Sequence, residues 1–407
     1  MNEKRKTIPH IAVLCDPASF HTQKWSQALQ RNGAKVTVFS FSDEKIEGIN
    51  CVKVAPNYTL KGKLTYLSFM YSGKALRQAL EAHQVDILNP INVTPYGVWA
   101  ARSGFRPLAT VSMGADILEY PPKPGDSPYA TWTNRERPGM LGRLTNRLKY
   151  HFYRFHVKKA LDVSAFITGD NLELVNSVIN WFDIPSPKVH LNRWGVEEKL
   201  FHPQEERLAT LRQKYGIKKG QTVVLSPRGM KPIYQGELIL NAFEKLVQQL
   251  PEVKFIMFSA GYEVSKAVKE KAIMLGEQHP NFYYEFGLIP REEVIELWSL
   301  VDVFISAPLY DGYSNAVAEG RYGGAIPIVN AIPGNREILE HDKTALFVDP
   351  FTSEYLEETI RDLIPQVSTV KKRFHEVSLP WILEHSELNG NIRKFIELCD
   401  KMSNPTN

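Results

Sequence analysis

Short runs of apolar and β-branched residues alternate along the chain with longer segments in which apolar residues recur every three or four positions. The first kind of run predicts buried strands, and the second predicts amphipathic helices. Strands and helices that alternate in this way are typical of parallel sheets covered by helices on both faces. Because the pattern occurs in two blocks, we expect an α/β fold with two doubly wound, Rossmann-like parallel-sheet domains that face a central cleft.

Each block contains six predicted strands. Those of the first block are HIAVLCD, AKVTVFSF, VDILNPI, PLATVSM, SAFITG and KVHLNRWG. Those of the second block are TVVLSPRG, VKFIMFSAG, FYYEFGLI, VDVFISAPL, AIPIVN and ALFVDP. Between the first two strands, TQKWSQALQRNGA has helical periodicity and ends at Gly33. A glycine is common just after a helix, so this segment predicts a βαβ unit.

A length of 407 residues exceeds what one hydrophobic core usually supports, which agrees with two domains. The segment from Gly195 to about Gly220 is charged and has little strand character, so we expect a hinge near residues 195–200. We therefore predict an N-terminal domain at 1–198, a C-terminal domain at 199–383, and a helix within 384–407 that docks back across the domains.

Composition indicates an ordinary globular protein, with 43% apolar and 23% charged residues. The first ten residues are polar and charged, and no run of about 18 uncharged apolar residues follows, so we expect a cytoplasmic protein. Three cysteines, Cys15, Cys51 and Cys399, lack the spacing of metal ligands and are expected to be reduced thiols.

A net charge of +4 is too small to indicate nucleic acid as a partner. One segment, residues 135–159, nevertheless concentrates basic residues among aromatic ones. Its bases are Arg135, Arg137, Arg143, Arg147, Lys149, Arg154, Lys158 and Lys159, against the single acid Glu136. A solvated amphipathic helix with its aromatic residues packed inward is the commoner explanation. Peripheral contact with the inner face of an anionic membrane is the alternative.

The most informative motif is DGYSNAVAEG, which follows the strand VDVFISAPL. Asp311 and Gly312 lie in the loop, and Ser314 and Asn315 are residues typical of a helix start. A helix N-terminus carries free N–H groups and partial positive charge, which suit the diphosphate of an activated sugar. Glu319, one turn inside the helix, could accept hydrogen bonds from vicinal hydroxyls such as those of a ribose, and Asp311 from those of a sugar. By themselves, two such acids are more often surface charges.

This segment resembles the hallmark of the retaining GT-B glycosyltransferases of family 4, in which seven residues separate two acids. The first acid usually opens the sequence Glu-Gly-Phe-Gly, and the second lies on the following helix. Here the motif reads Asp311-Gly312-Tyr313-Ser314 and ends at Glu319. The similarity continues through YGGAIPIVNAIPGNREILEHDKTALFVDP, and KVHLNRWGVEEKLFHP is similar to the segment that joins the two domains of family members.

The resemblance implies a hexosyltransferase that moves a sugar, with retention, from a nucleotide-sugar, most often a UDP-sugar, to a hydroxyl of a saccharide or glycolipid acceptor in surface polysaccharide synthesis. It implies no cofactor and no obligatory metal. The N-terminal domain would bind the acceptor and the C-terminal domain the donor. The donor contacts that it implies are Arg228, Lys231, Gly312, Tyr313, Ser314, Asn315 and Glu319, with Asp311, Arg228 and Glu319 as the catalytic set.

Family members also carry an Arg, and five residues later a Lys, after the first strand of the second domain. In SPRGMKPIYQG, Arg228 matches the Arg, but position 233 is Ile. Either Lys231 reaches the donor phosphates from a displaced loop, or Tyr234 or Gln235 takes the place of the lysine. A fixed cation at this point would stabilise the charge that develops on a leaving nucleoside diphosphate.

In the first domain, CDPASFHTQKW has no glycine where the family usually has a glycine-rich loop. Ser19 and His21 are candidates for acceptor or phosphate contacts, although a lone histidine near a helix start is more often structural. SMGADILEY resembles the segment that family members place near the sugar, so Gly114 and Asp116 are further candidates. Asp116 could instead cap a helix that begins at Ile117.

Two other functions are consistent with the same fold. A nucleotide-sugar epimerase would need acids or bases around the sugar ring rather than an acceptor groove. A non-catalytic, nucleotide-sugar-binding partner subunit would explain the two departures from the family pattern, Asp311 in place of Glu and the missing lysine.

Overall fold

The computed structural model describes residues 9–54, 72–123, 126–127, 140–197 and 203–403 of the chain. The chain divides into two compact units, Met1–Trp194 with Leu388–Asn407, and Gly195–Glu387. The segment predicted as a hinge begins at Gly195, the first residue of the second unit, and its residues 198–202 lie outside the described part. The predicted C-terminal range 384–407 is shared between the units, because the second unit extends to Glu387.

The strands found among the described residues of the first unit are all parallel. They are β1 (His10–Leu14), β2 (Lys35–Ser40), β3 (Asn50–Lys53), β4 (Ile87–Pro90), β5 (Ala109–Val111), β6 (Phe166–Gly169) and β7 (Val189–Leu191). Their order is β3-β2-β1-β4 and β5-β6-β7, and the parallel bridges Leu88↔Leu108 and Ile91↔Val111 join the two parts. Its helices are α1 (Phe20–Arg31), α2 (Gly73–Ala82), α3 (Val98–Ser103), α4 (Ala115–Leu118), α5 (Met140–Asp162), α6 (Leu172–Phe182) and α15 (Leu388–Ser403).

The core of the first unit explains why its strands were predictable and why one was missed. All five residues of β1 are buried, so its apolar run is continuous. The strand β3 lies at the sheet edge, with its two end residues exposed and the middle two half-buried, and therefore lacks an apolar run. The last helix, α15, contributes Phe395 to the same core, where its ring lies 5.0 Å from that of Trp25.

The basic segment of the first unit forms helix α5, from which Tyr150 and Tyr153 pack against Tyr120. The expectation that all its aromatic residues pack inward is wrong, because Phe152 and Phe155 are 37% and 53% exposed. Arg135, Arg137 and Glu136 lie outside the described residues, as does the side chain of Arg143. Within the described ranges, no helix is long and apolar enough to span a membrane.

The strands in the described part of the second unit are parallel as well. They are β8 (Val223–Ser226), β9 (Lys254–Phe258), β10 (Phe282–Glu285), β11 (Val303–Ser306), β12 (Ile326–Asn330) and β13 (Leu346–Val348). Its helices are α7 (Glu205–Tyr215), α8 (Gly236–Gln249), α9 (Lys266–Gln278), α10 (Arg291–Leu297), α11 (Asn315–Tyr322), α12 (Pro333–Ile338), α13 (Ser353–Leu363) and α14 (Val367–His385).

The strand order of the second unit, β10-β9-β8-β11-β12-β13, reverses between β8 and β11. The chain leaves β8 toward β9 on one side and returns to β11 on the other, so the loops after β8 and β11 diverge. In open parallel sheets this point, at the carboxyl ends of the strands, forms a crevice for ligands. Both blocks of six predicted strands are found, and the prediction of two Rossmann-like α/β domains is confirmed.

Helix α11 packs closely on β11 through Gly320. A Cβ at this position would lie 2.5 Å from a ring carbon of Phe304, which is fully buried. Alanine in place of a helical glycine usually gains about 0.5–1 kcal/mol. Overpacking of a core costs about 1–3 kcal/mol, so the clash should outweigh that gain.

We therefore expect Gly320→Ala to lower the thermal midpoint, by about 2–4 °C for each kcal/mol lost in a unit of this size. The matched control is Gly97→Ala, because Gly97 has helical backbone angles and the nearest atom to its Cβ would be at 3.5 Å. Melting curves followed by circular dichroism would test this. A midpoint that rises in both variants would show that Phe304 can move aside.

Candidate functional site

The loop after β11 and the first turn of α11 form the centre of the candidate site. Ser314 has extended backbone angles, and its Oγ accepts a hydrogen bond from the backbone N of Val317 at 3.4 Å. It is therefore the N-cap of α11, as predicted. The side-chain Oδ1 of Asn315, the first helical residue, is buried and has no hydrogen-bond partner within the described ranges. A buried unpaired acceptor is costly, so a hydrogen-bond donor supplied by a ligand would stabilise this position.

The loop after β8 places Arg228 against the loop after β11. Its guanidinium forms an ion pair with Asp311, and Nη1 donates to Ser314 Oγ at 2.5 Å. The Cζ atom of Arg228 lies 4.9 Å from the ring centroid of Tyr234. The side chains of Arg228 and Asp311 are only 18% and 20% exposed. Two predicted catalytic residues, 83 positions apart, thus meet at the crevice of the sheet.

The surroundings of Arg228 keep its guanidinium protonated and positively charged. Burial lowers the pKa of its guanidinium, but the charge of Asp311 and hydrogen bonds with Asp311 and Tyr234 outweigh burial and raise this pKa above its ordinary value. Arg228 is therefore a permanent cation whose charge Asp311 already balances. A diphosphate bound here would draw additional stabilisation from the N–H groups at the start of α11.

The three candidates for the missing lysine differ in their contacts. The Nε2 of Gln235 donates to the carbonyl oxygen of Ala307 at 2.9 Å, so this side chain ties the two loops together. The Nζ of Lys231 lies 3.8 Å from the ring centroid of Tyr262. The rings of Tyr262 and Tyr234 are 6.2 Å apart. Lys231 and Tyr234 therefore belong to one aromatic and cationic cluster with Arg228, and Tyr262 is a member that sequence reasoning missed.

Glu319 is on the inner side of α11, where only 2% of the residue is exposed. Its carboxylate forms an ion pair with Arg291, the first residue of α10. Burial lowers the pKa of Arg291 to about 10, and the charges of Glu197 and Glu292 oppose this effect. A buried carboxylate requires a partner, but the sequence does not identify which base supplies it. Arg291 was therefore not predicted.

Two other residues of the motif differ in their surroundings. Gly312 is half-buried beside Asp311 in the loop. Tyr313 is 5% exposed, packs in the core of the unit, and donates its hydroxyl hydrogen to Ser386 Oγ at 2.6 Å. The side chain of Tyr313 is thus not on the open surface of the loop, and a contact between Tyr313 and the donor stays a prediction.

The shape of the 311–312 loop depends on α12. A Cβ on Gly334 would lie 2.8 Å from the carbonyl oxygens of both Asp311 and Gly312. The side chain of Asn330 donates to the carbonyl oxygen of Pro308 at 2.6 Å, and that of Asn335 donates to the carbonyl oxygen of Asn330 at 2.9 Å. These residues position the loop without belonging to the hallmark motif. Within YGGAIPIVNAIPGNREI, only Gly334 indicated this close packing.

The contacts of Asp116 in the first unit indicate a structural role. It is 5% exposed, and its oxygens accept hydrogen bonds from Val93 N at 2.6 Å, Ser112 Oγ at 2.8 Å and Met113 N at 3.1 Å. Burial raises its pKa, while these hydrogen bonds lower it. Helix α4 begins at Ala115, so Asp116 is not the cap of a helix that begins at Ile117. Asp116 joins the segments after β4 and β5.

The other predicted residues of the first unit flank two helix starts. Ser19 is the N-cap of α1 without a side-chain cap hydrogen bond, and the ring of His21 lies 5.3 Å from that of Trp194. Gly114 precedes α4 with a φ of 104°, which only glycine adopts readily. Asn192, which follows β7, was not predicted. It is 9% exposed, and neither polar atom of its amide has a hydrogen-bond partner among the described residues.

One site in the second unit thus contains Arg228, Asp311, Ser314 and Asn315. Glu319, one turn further along α11, is paired with Arg291. Ser19, His21, Gly114 and Asp116 belong to the other unit. Across the described residues, no three His, Cys, Asp or Glu side chains are grouped so that they could hold a metal ion.

Two family models match the chain. Residues 10–135 match "Glycosyl transferase 4-like", and residues 209–373 match "Glycosyl transferases group 1". The second range includes both loops of the candidate site and all of α11.

Individual relatives are distant. The chain is 23% identical over 386 residues to alpha-monoglucosyldiacylglycerol synthase of Streptococcus pneumoniae. This match covers 88% of the chain and 81% of that protein. It is 20% identical over 187 residues to mannosylfructose-phosphate synthase of Agrobacterium fabrum, a match that spans 44% of the chain and 40% of that protein. The crystal structure of Anabaena HepE in complex with UDP-glucose superposes with a TM-score of 0.70 at 15% identity, over 95% of the chain and 98% of HepE. The chain is a glycosyltransferase with the GT-B fold.

Proposed function

We propose that the chain is a retaining glycosyltransferase of family 4 that transfers a hexose from a UDP-sugar to a hydroxyl group of a saccharide or glycolipid. The observation that carries this proposal is the ion pair between Arg228 and Asp311, with Ser314 as a second acceptor, at the crevice between β8 and β11. The complex of HepE with UDP-glucose, a protein of the same fold, supports the choice of donor.

The electrostatics of this site suit the departure of a nucleoside diphosphate. As the bond between the anomeric carbon and the phosphate oxygen breaks, negative charge grows on the diphosphate and positive charge on the sugar ring. Arg228 and the N-terminus of α11 stabilise the former. Asp311 then accepts hydrogen bonds from the sugar, and Glu319 from the ribose.

Retention follows if the acceptor hydroxyl attacks from the face that the diphosphate leaves. In that mechanism the departing phosphate takes the proton of the hydroxyl, so no side chain is required as nucleophile or general base. The proposed reaction also requires no metal, because Arg228 and the helix N-terminus supply the positive charge that a divalent cation would otherwise provide.

For the acceptor, we propose a saccharide or glycolipid of a surface polysaccharide or glycoconjugate, bound by the first unit. The name of the relative alpha-monoglucosyldiacylglycerol synthase supports a lipid-linked acceptor. Ser19, His21 and Gly114 remain our candidates for contacts with it. The unpaired amide of Asn192 adds a fourth, because a sugar hydroxyl can both donate to and accept from an amide.

We further propose that the protein works at the inner face of a membrane, which it contacts through α5. Leu148, Phe152 and Phe155 are 62%, 37% and 53% exposed. Because a helix turns by about 100° per residue, these three side chains share one face. Arg147 and Lys149 are exposed on the same helix, which has no acidic residue before Asp162. An exposed apolar stripe flanked by bases is typical of helices that lie on anionic lipid.

Donor binding tests the catalytic set. Calorimetric titration of UDP-, GDP- and ADP-sugars should identify one donor, and we expect it to be a UDP-sugar. Arg228→Ala and Glu319→Ala should each weaken its binding by about 1.5–3 kcal/mol, the worth of a hydrogen bond to a charged group. The control is Glu340→Ala, which removes an exposed carboxylate of the same unit.

Binding by Glu319→Ala that equals binding by the unchanged protein would contradict the site assignment. Tight donor binding without transfer to any acceptor would favour a non-catalytic, nucleotide-sugar-binding partner subunit. Appearance of an epimeric sugar in the absence of acceptor would favour an epimerase.

Gly334→Ala tests whether the shape of the 311–312 loop matters for donor binding. The added Cβ would lie 2.8 Å from two backbone oxygens, so the loop must shift. We expect donor affinity to fall by about 1–2 kcal/mol, a cost typical of overpacking. The far-ultraviolet circular dichroism should not change. Gly97→Ala, which adds the same atom at a site with room, should leave donor affinity unaltered.

Sedimentation with lipid vesicles tests the membrane proposal. The protein should pellet with vesicles that contain phosphatidylglycerol and much less with pure phosphatidylcholine. Arg147→Ala/Lys149→Ala should weaken binding by about 2 kcal/mol, since each base near an anionic surface contributes about 1 kcal/mol. Leu148→Ala/Phe155→Ala should also weaken it, whereas the control Met274→Ala/Val377→Ala, which removes exposed apolar groups of the second unit, should not. Equal pelleting by all variants would contradict a role for α5.

A further inference from the structure

A cavity of about 650 Å³ lies at the amino ends of the strands of the second unit's sheet. The candidate donor site lies at their carboxyl ends. The wall of the cavity contains Thr222, Asp302 and Gly324, which come just before β8, β11 and β12 respectively. The two loops of the candidate donor site follow the carboxyl ends of β8 and β11. The cavity is therefore separate from the site formed by Arg228 and Asp311.

The charges around this cavity are mostly positive. Its lining includes Arg212, Lys218, Lys371, Lys372 and His375, and the only carboxylate among the lining residues is Asp302. Four of these five side chains are permanently charged at neutral pH. Like charges gathered around a concave surface strengthen the potential inside it, which favours an anion.

The carboxylate of Asp302 is already engaged. Its Oδ1 accepts a hydrogen bond from Lys371 Nζ at 2.7 Å, and its Oδ2 accepts one from the backbone N of Val223 at 3.0 Å. Arg212 is paired at 2.6 Å with Glu205, which does not line the cavity. After these pairs are counted, the positive charge that remains belongs to Lys218 and Lys372.

Lys218 and Lys372 are exposed and form no ion pair in the part of the chain that the structure describes. Neutral hydrogen-bond donors accompany them, namely the hydroxyls of Thr222, Ser299 and Ser368. Charged ammonium groups together with hydroxyls are the donors that bind phosphate oxygens. The volume of about 650 Å³ lies within the range of small-molecule sites.

We propose that this cavity binds a phosphate-bearing small molecule, with Lys218 and Lys372 as its principal charged contacts. This site is independent of the proposed glycosyl transfer, because it lies at the opposite ends of the strands and shares no residue with the candidate donor site. The ligand has the chemistry of a phosphate monoester, whose charge of about −2 matches the two lysines.

Titration with inorganic phosphate, followed by calorimetry at constant ionic strength, tests the proposal on the full chain. The unchanged protein should bind phosphate, and Lys218→Ala/Lys372→Ala should bind it at least about tenfold more weakly, because two charge-assisted contacts are lost. The matched control, Lys266→Ala/Lys394→Ala, removes two exposed lysines that do not line the cavity and should bind as the unchanged protein does. Circular dichroism should confirm that all variants are folded.

Arg228→Ala separates the two sites. Phosphate affinity that persists in Arg228→Ala and is lost in Lys218→Ala/Lys372→Ala supports the cavity. The proposal is overturned if the unchanged protein does not bind phosphate, if the double variant binds it equally well, or if only Arg228→Ala loses it. None of these measurements depends on turnover, so they stand apart from the tests of glycosyl transfer.

Discussion

A parallel sheet brings the carboxyl ends of all its strands to one edge, and the candidate donor site depends on this constraint. Arg228 and Asp311 are far apart in sequence, but they follow the adjacent strands β8 and β11 and so arrive at the same point. The reversal of strand order there keeps the space between the two loops open. The hydrogen bond from Leu309 N to the carbonyl oxygen of Ile233, at 2.7 Å, then fixes one loop against the other. The strand order thus determines that Arg228 and Asp311 meet at the carboxyl ends of the strands.

The sequence predicted the features that depend on local patterns. Buried strands with continuous apolar runs and the capped start of α11 at Ser314 were predictable, because burial and capping select residue types at fixed spacing. Features that depend on partners distant in sequence were not. Nothing near Glu319 indicates that Arg291 would pair with it, and nothing in the hallmark motif indicates that Tyr313 would turn into the core. The edge strand β3 was missed because a half-buried strand has no apolar run.

Some of the buried polar atoms without a hydrogen-bond partner lie next to the candidate sites. Asn315 Oδ1, at the start of α11, and both amide atoms of Asn192, after β7, have no partner in the described part of the chain. Leaving such a group buried and unpaired costs about 1–3 kcal/mol. By contrast, the carboxylate of Asp116 has three close hydrogen bonds. We interpret the satisfied group as structural and the two unsatisfied ones as positions where a ligand completes the hydrogen bonding.

In the proposed donor site, the ion pair between Arg228 and Asp311 makes donor binding an exchange of partners rather than the filling of an empty charged pocket. A phosphate that takes hydrogen bonds from Arg228 leaves the carboxylate of Asp311 in need of donors, in a place where only about a fifth of its side chain reaches solvent. Hydroxyl groups of an attached sugar can supply those donors, whereas a nucleoside diphosphate alone cannot. The protein would then release its spent nucleotide more readily than its intact donor, and this difference would favour turnover over product inhibition.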